Sequence, residues 1–104
     1  MVLELENGRR IEDPNALQIE EHLGTLDGES NGFAILSESE LTYLQAAGGV
    51  EAGFAVEYQD GTTDQHYTAT AAGISLEDVV EAFRRYTGGD GAWRTMFEWE
   101  KIDI

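Results

Sequence analysis

From Phe33 to Ala71 four strand-like stretches follow in close order. They are Phe33 to Ser37, Leu41 to Ala46, Gly53 to Gln59 and Gln65 to Ala71, divided by the turn-prone segments Ser37-Glu38-Ser39-Glu40, Gly48-Gly49 and Asp60-Gly61. Links this short join only antiparallel neighbours, because a parallel crossover needs about a dozen residues or more. In the third stretch Phe54, Val56 and Tyr58 alternate with Ala55, Glu57 and Gln59, so one face of the sheet is expected to be dry.

The flanks extend this frame. Val2 to Glu6, Asn7-Gly8 and Arg9 to Glu12 predict a strand and a hairpin closed by a type I′ turn. Asp13-Pro14 predicts a helix start, with Asp13 as N-cap and Pro14 in the first position. That helix should run to Leu23 and stop at Gly24, with Leu17, Ile19 and Leu23 as its apolar set. A second helix is capped by Ser75 with Asp78 three residues on, favoured at its C-terminal end by Arg84 and Arg85, and stopped by Gly88-Gly89. Its stripe of Leu76, Val79, Val80, Phe83 and Tyr86 should cover the dry face. The tail from Phe97 to Ile104 alternates like a last strand. The expected architecture is α+β, a single domain over residues 1–104, with an antiparallel sheet of about five to six strands and two helices packed on one face.

Charge is the second constraint. From Ile11 to Phe83 the chain has no Lys or Arg in 73 residues but 15 Asp and Glu, and the whole carries a formal −15. Residues 1–52 contribute −9 and residues 53–104 contribute −6, so the charge belongs to the fold and not to a tail. Such a surface repels itself unless its solvent is unusual or its partner is positive. Disorder is not expected, given 41% hydrophobic residues, ten aromatics and one Pro. The lack of Cys excludes disulfides and thiolate chemistry and suits a reducing compartment. The acidic, alternating N-terminus is unlike a secretory signal, and no apolar run approaches the roughly 20 residues that span a bilayer. The expected location is cytoplasmic, without membrane association.

Catalytic signatures are missing from the sequence. His22 and His66 offer at best Asp64-x-His66 as a ligand pair, and His66 is expected to be a solvated strand histidine; no metal and no cofactor are anticipated. Ser75 has a cap to form, and no Gly-x-Ser-x-Gly elbow occurs. Gly48-Gly49 and Gly88-Gly89 lack a following Lys and lie among acids that repel phosphate, so nucleic acid is not expected as a direct ligand. Tyr58 and Trp99 have the strand phase of core residues, whereas Trp93, behind Gly88-Gly89-Asp90-Gly91-Ala92, is expected at the surface as an interface anchor. With the acids of the strand-end loops it makes the expected partner-binding set: Glu38, Glu40, Glu57, Asp60, Asp64 and Trp93.

From Leu41 onward, the paired strands Leu41-Thr42-Tyr43-Leu44-Gln45 and Phe54-Ala55-Val56-Glu57-Tyr58-Gln59-Asp60-Gly61, the helix Val79-Val80-Glu81-Ala82-Phe83-Arg84-Arg85-Tyr86 and the closing Trp93 to Trp99 stretch resemble the small α+β immunity proteins of bacterial polymorphic toxin systems. The resemblance implies a toxin-blocking protein with no catalysis of its own. It agrees with the charge, since an enzyme that grips phosphates is positive at its active site and an acidic protein is steered to it. Two other expectations compete: an acidic, salt-adapted domain of unrelated function, and a small ligand carrier with a pocket between sheet and helices. A homodimer through a sheet edge is compatible with all three.

Overall fold

The computed structural model describes residues 1–103. Seven strands form one antiparallel sheet: β1 (Val2–Leu5), β2 (Arg10–Glu12), β3 (Phe33–Ser39), β4 (Thr42–Gly49), β5 (Gly53–Asp60), β6 (His66–Ala69) and β7 (Trp99–Lys101). Their spatial order is β2-β1-β3-β4-β5-β6-β7, so from β3 to β6 each strand lies beside the one before it, as the short links require. The sheet exceeds the expected strand number because both edges are three-residue strands. These carry Arg10 and Glu12 on one side and Glu100 and Lys101 on the other, and a short charged edge offers little to an added strand.

Cross-strand register explains the core. Leu5, Ala34, Ala46 and Val56 form one row across β1, β3, β4 and β5, and Leu3, Leu36, Leu44 and Tyr58 form the next. Both rows are buried under α1 (Ala16–Leu23) and α2 (Leu76–Thr87), which supply Ile19, Leu23, Val79, Ala82 and Phe83. The α+β expectation, with both helices on one face, holds. Ser75 caps α2 by accepting from the Asp78 N–H.

Local chemistry departs from expectation at several points. The first hairpin does not use a type I′ turn: Gly8 (φ 92°) is its positive-φ residue while Asn7 is not, and the Gly8 N–H bonds Leu5 O across the turn. Asn15, not Asp13, caps α1, in a reciprocal capping box with Gln18. Asp13 has φ 46° and pairs instead with the amino group of Met1. Leu17 is 63% exposed, because Ile19 and Leu23 occupy the side of α1 that meets the core. Gly48 and Gly49 end β4 and are not the turn. A Cβ on Gly48 would lie 2.3 Å from Gly53 O, so the close approach of β4 and β5 requires glycine there. The expected last strand shrinks to Trp99–Lys101, and Ile104 lies outside the described residues.

Candidate functional site: an acidic, aromatic-walled cleft

One step beyond the two buried rows, the same face of the sheet changes character. Strand alternation brings Thr42 and Asp60, which are register partners, to the position after Leu44 and Tyr58. On β3 the register shifts between Ser37 and Ser39, which makes Glu38 the extra residue of a β-bulge. A bulge re-aims a side chain, and here the Glu38 carboxylate lines the same cleft as Asp60 at the end of the sheet. The C-terminal turn of α2 and the 3₁₀ stretch Gly91–Met96 close over this end. Between them lies a cleft of about 360 Å³ walled by Glu38, Tyr58, Asp60, Tyr86, Trp93 and Arg94.

The aromatic walls are held firmly. Tyr58 meets Trp93 and Trp99 edge-on at 4.9 and 4.7 Å, and Tyr86 meets Trp93 at 5.3 Å. The indole N–H of Trp99 donates to Arg94 O at 2.8 Å, tying the 3₁₀ stretch to β7. The Arg94 guanidinium lies 5.1 Å from the Tyr58 ring centre and 5.2 Å from that of Trp93, within cation–π range of both. It also donates to Asp60 at 3.1 Å.

Two groups of the cleft are left over. Glu38 has no ion-pair partner among the described residues. Tyr86 is 7% exposed, and its hydroxyl is buried without a hydrogen-bond partner among the described residues. Burial, and then the Glu38 and Asp60 carboxylates, push the Tyr86 phenol up to about 12, against a smaller lowering by Arg94. Tyr86 lines the cleft together with both acids.

Of the expected partner-binding residues, Glu38, Asp60 and Trp93 meet here. Trp93 is a correction: it is 6% exposed, a wall and not a surface anchor, because the 3₁₀ stretch folds it back on Tyr58 and Tyr86. Glu40 sits exposed in the β3–β4 turn, and Asp64 in the 3₁₀ turn Thr63–Gln65. Glu57 is on the opposite face, where it is bonded to His66 at 2.7 Å. His66 is not solvated but 4% exposed. Gln59 donates its amide to Leu41 O, so its oxygen faces His66 Nδ1 at 3.0 Å and that nitrogen carries a proton. His66 Nε2 lies on the Glu57 carboxylate, which leaves Glu57 already engaged.

Reasoning from sequence missed Tyr86 and Arg94 as cleft residues. Tyr86 read as the last residue of an apolar stripe, with nothing to show that its hydroxyl ends up unbonded. Arg94 carried a signal, as a cation next to a Trp in a chain with six bases.

Two further surfaces are less distinctive. A groove between α1 and α2 exposes Leu17, Leu76 and Val80 beside Glu20, Glu77 and Glu81, with Arg84 paired to Glu81. At the far end of β4, Asp27 accepts from the N–H groups of Glu29 and Asn31 and from Ser30 Oγ, which hold its carboxyl below the usual range. Among the described residues no group of three or more His, Asp or Glu side chains converges to hold a metal ion, and no helix is long and apolar enough to cross a membrane. No family model matches the chain, and neither a curated protein nor a solved structure is significantly similar to it.

Proposed function

We propose that the protein is a non-catalytic acidic binding protein that docks and covers a basic protein, in the manner implied by its resemblance to toxin-immunity proteins; a nucleic-acid-targeting toxin domain is the partner class that best fits. The supporting observation is the cleft. In a chain of charge −15, Glu38 has no ion-pair partner among the described residues, and it shares an aromatic-walled cleft with Tyr86, whose buried hydroxyl no described residue bonds. A strongly negative surface steers a cationic partner, and fixed polar groups then supply the short-range specificity. Cytoplasmic location accords with this reading, since an intracellular toxin must be met where it acts.

Affinity capture from the native host at low ionic strength tests the proposal. A basic protein should be retained, released by added salt, and prove toxic when expressed without this chain. Capture that yields no basic protein contradicts it. Unfolding measured at low and at molar salt separates it from salt adaptation: a fold that persists at low salt is expected here, and one lost at low salt favours the competing expectation.

A further inference from the structure

Resting on that reading, we propose that the cleft is a socket for one arginine side chain of the basic partner, received by Glu38 and the Tyr86 hydroxyl while Arg94 remains on Asp60. Within the cleft Arg94 already neutralises Asp60 at 3.1 Å, so the groups left to satisfy are one carboxylate and one buried hydroxyl. A ligand that satisfies both brings a single positive charge and more than one N–H donor. A neutral ligand leaves the Glu38 charge uncompensated, and an anion is repelled by it.

The walls favour guanidinium over ammonium. Tyr58 and Trp93 already hold one guanidinium, that of Arg94, within cation–π range of both rings. A planar fork with five donors can pair with a carboxylate and reach a neighbouring hydroxyl at once. A lysine ammonium is a compact, strongly hydrated point charge that gives up more on entering an aromatic cleft. The groove between α1 and α2 also has an acidic rim, but no buried, unbonded group there calls for a particular ligand.

The test is a titration of the ¹⁵N-labelled protein with Nα-acetyl-L-arginine amide, which has one charge and no charged termini, while following the Trp93 indole N–H and the amides of residues 91–96. The lysine and glutamine analogues serve as the second cation and the neutral control. Saturable shifts confined to the cleft are expected with arginine, weaker binding with lysine and none with glutamine. Glu38→Gln and Tyr86→Phe should each weaken arginine binding by about fivefold, the worth of one hydrogen bond, and Glu29→Gln at the opposite end should leave it unchanged. No saturable shift up to about 50 mM, equal shifts with all three compounds, or full binding in both cleft variants would overturn the socket.

The outcome is separable from that of the partner reading. A captured basic protein that binds the Glu38→Gln/Tyr86→Phe double variant as tightly as wild type overturns the socket and leaves the inhibitor reading standing. Arginine binding in the cleft without any captured basic protein supports the socket and removes the inhibitor reading.

Discussion

At the Gly49 end of β4, Asp27 accepts from two backbone N–H groups and a hydroxyl of its own loop; at the Thr42 end, Glu38 is turned out of the ladder by a bulge and accepts from no described side chain. The first acid closes a loop. Its neighbour Asn31, 6% exposed, bonds Thr25 through its amide and accepts from the Asn7 N–H, so the whole segment is internally satisfied. The second acid shares its cleft with an unbonded phenol. Acidic character alone does not distinguish the two ends; what each carboxylate is already bonded to does. The satisfied end should fail by losing stability, and the unsatisfied end by losing binding.

The sharpest break of this contrast is at the satisfied end. Gly48→Ala puts a Cβ 2.3 Å from Gly53 O at φ 131° and should cost about 3 kcal/mol or more in urea denaturation. Asn31→Ala removes a buried side chain with its bonds to Thr25 and the Asn7 N–H and should cost about 1 kcal/mol in the same experiment. At the other end, Glu38→Gln and Asp60→Asn should stay within about 0.5 kcal/mol of wild type, since the acids there support no buried bond.

Acid and alkali sharpen the contrast further. The Asp27 carboxyl is lowered from 3.8 by the hydrogen bonds of its loop. The stability it contributes is therefore complete above pH 3.8 and lost as the pH falls through its lower folded value, and the Glu29 and Asn31 amides should lose exchange protection in that window. Tyr86 moves the other way. Its folded value of about 12 lies above the ordinary 10.0, so the linked stability is fully present below pH 10 and lost as the pH climbs through about 12. Ultraviolet titration should show Tyr86 ionising late, with Tyr43 and Tyr58 also raised by burial, and Glu38→Gln should bring Tyr86 part of the way back toward 10.

The meander from β3 to β6 was legible because links of a few residues leave antiparallel pairing as the one option, and α2 was legible because cap, stripe and stop agree. The cleft was only half legible. Continuing the alternation past Leu44 and Tyr58 reaches Thr42 and Asp60, so the change from apolar to polar was present in the strand pattern, whereas the placement of Glu38 depends on a bulge that the pattern does not reveal. Trp93 was misread because the glycines before it look like an exposed link, whereas the 3₁₀ stretch after Asp90 returns the indole to the core. The Tyr86 hydroxyl was out of reach, since whether a buried donor finds a partner depends on side chains brought from elsewhere in the chain. The two misplaced histidine and N-cap assignments have the same origin. Asn15 outcompetes Asp13 through its reciprocal bonds with Gln18, and His66 is enclosed by Gln59 and Glu57 from the neighbouring strand.

The smallest effect is the most telling. Tyr86→Phe removes a hydroxyl that nothing in the fold bonds, so its unfolding free energy by urea denaturation should equal or slightly exceed that of wild type. A loss of more than about 1 kcal/mol would show that the hydroxyl is already satisfied in the free protein, and the cleft would then be ordinary core and not a place kept for a partner.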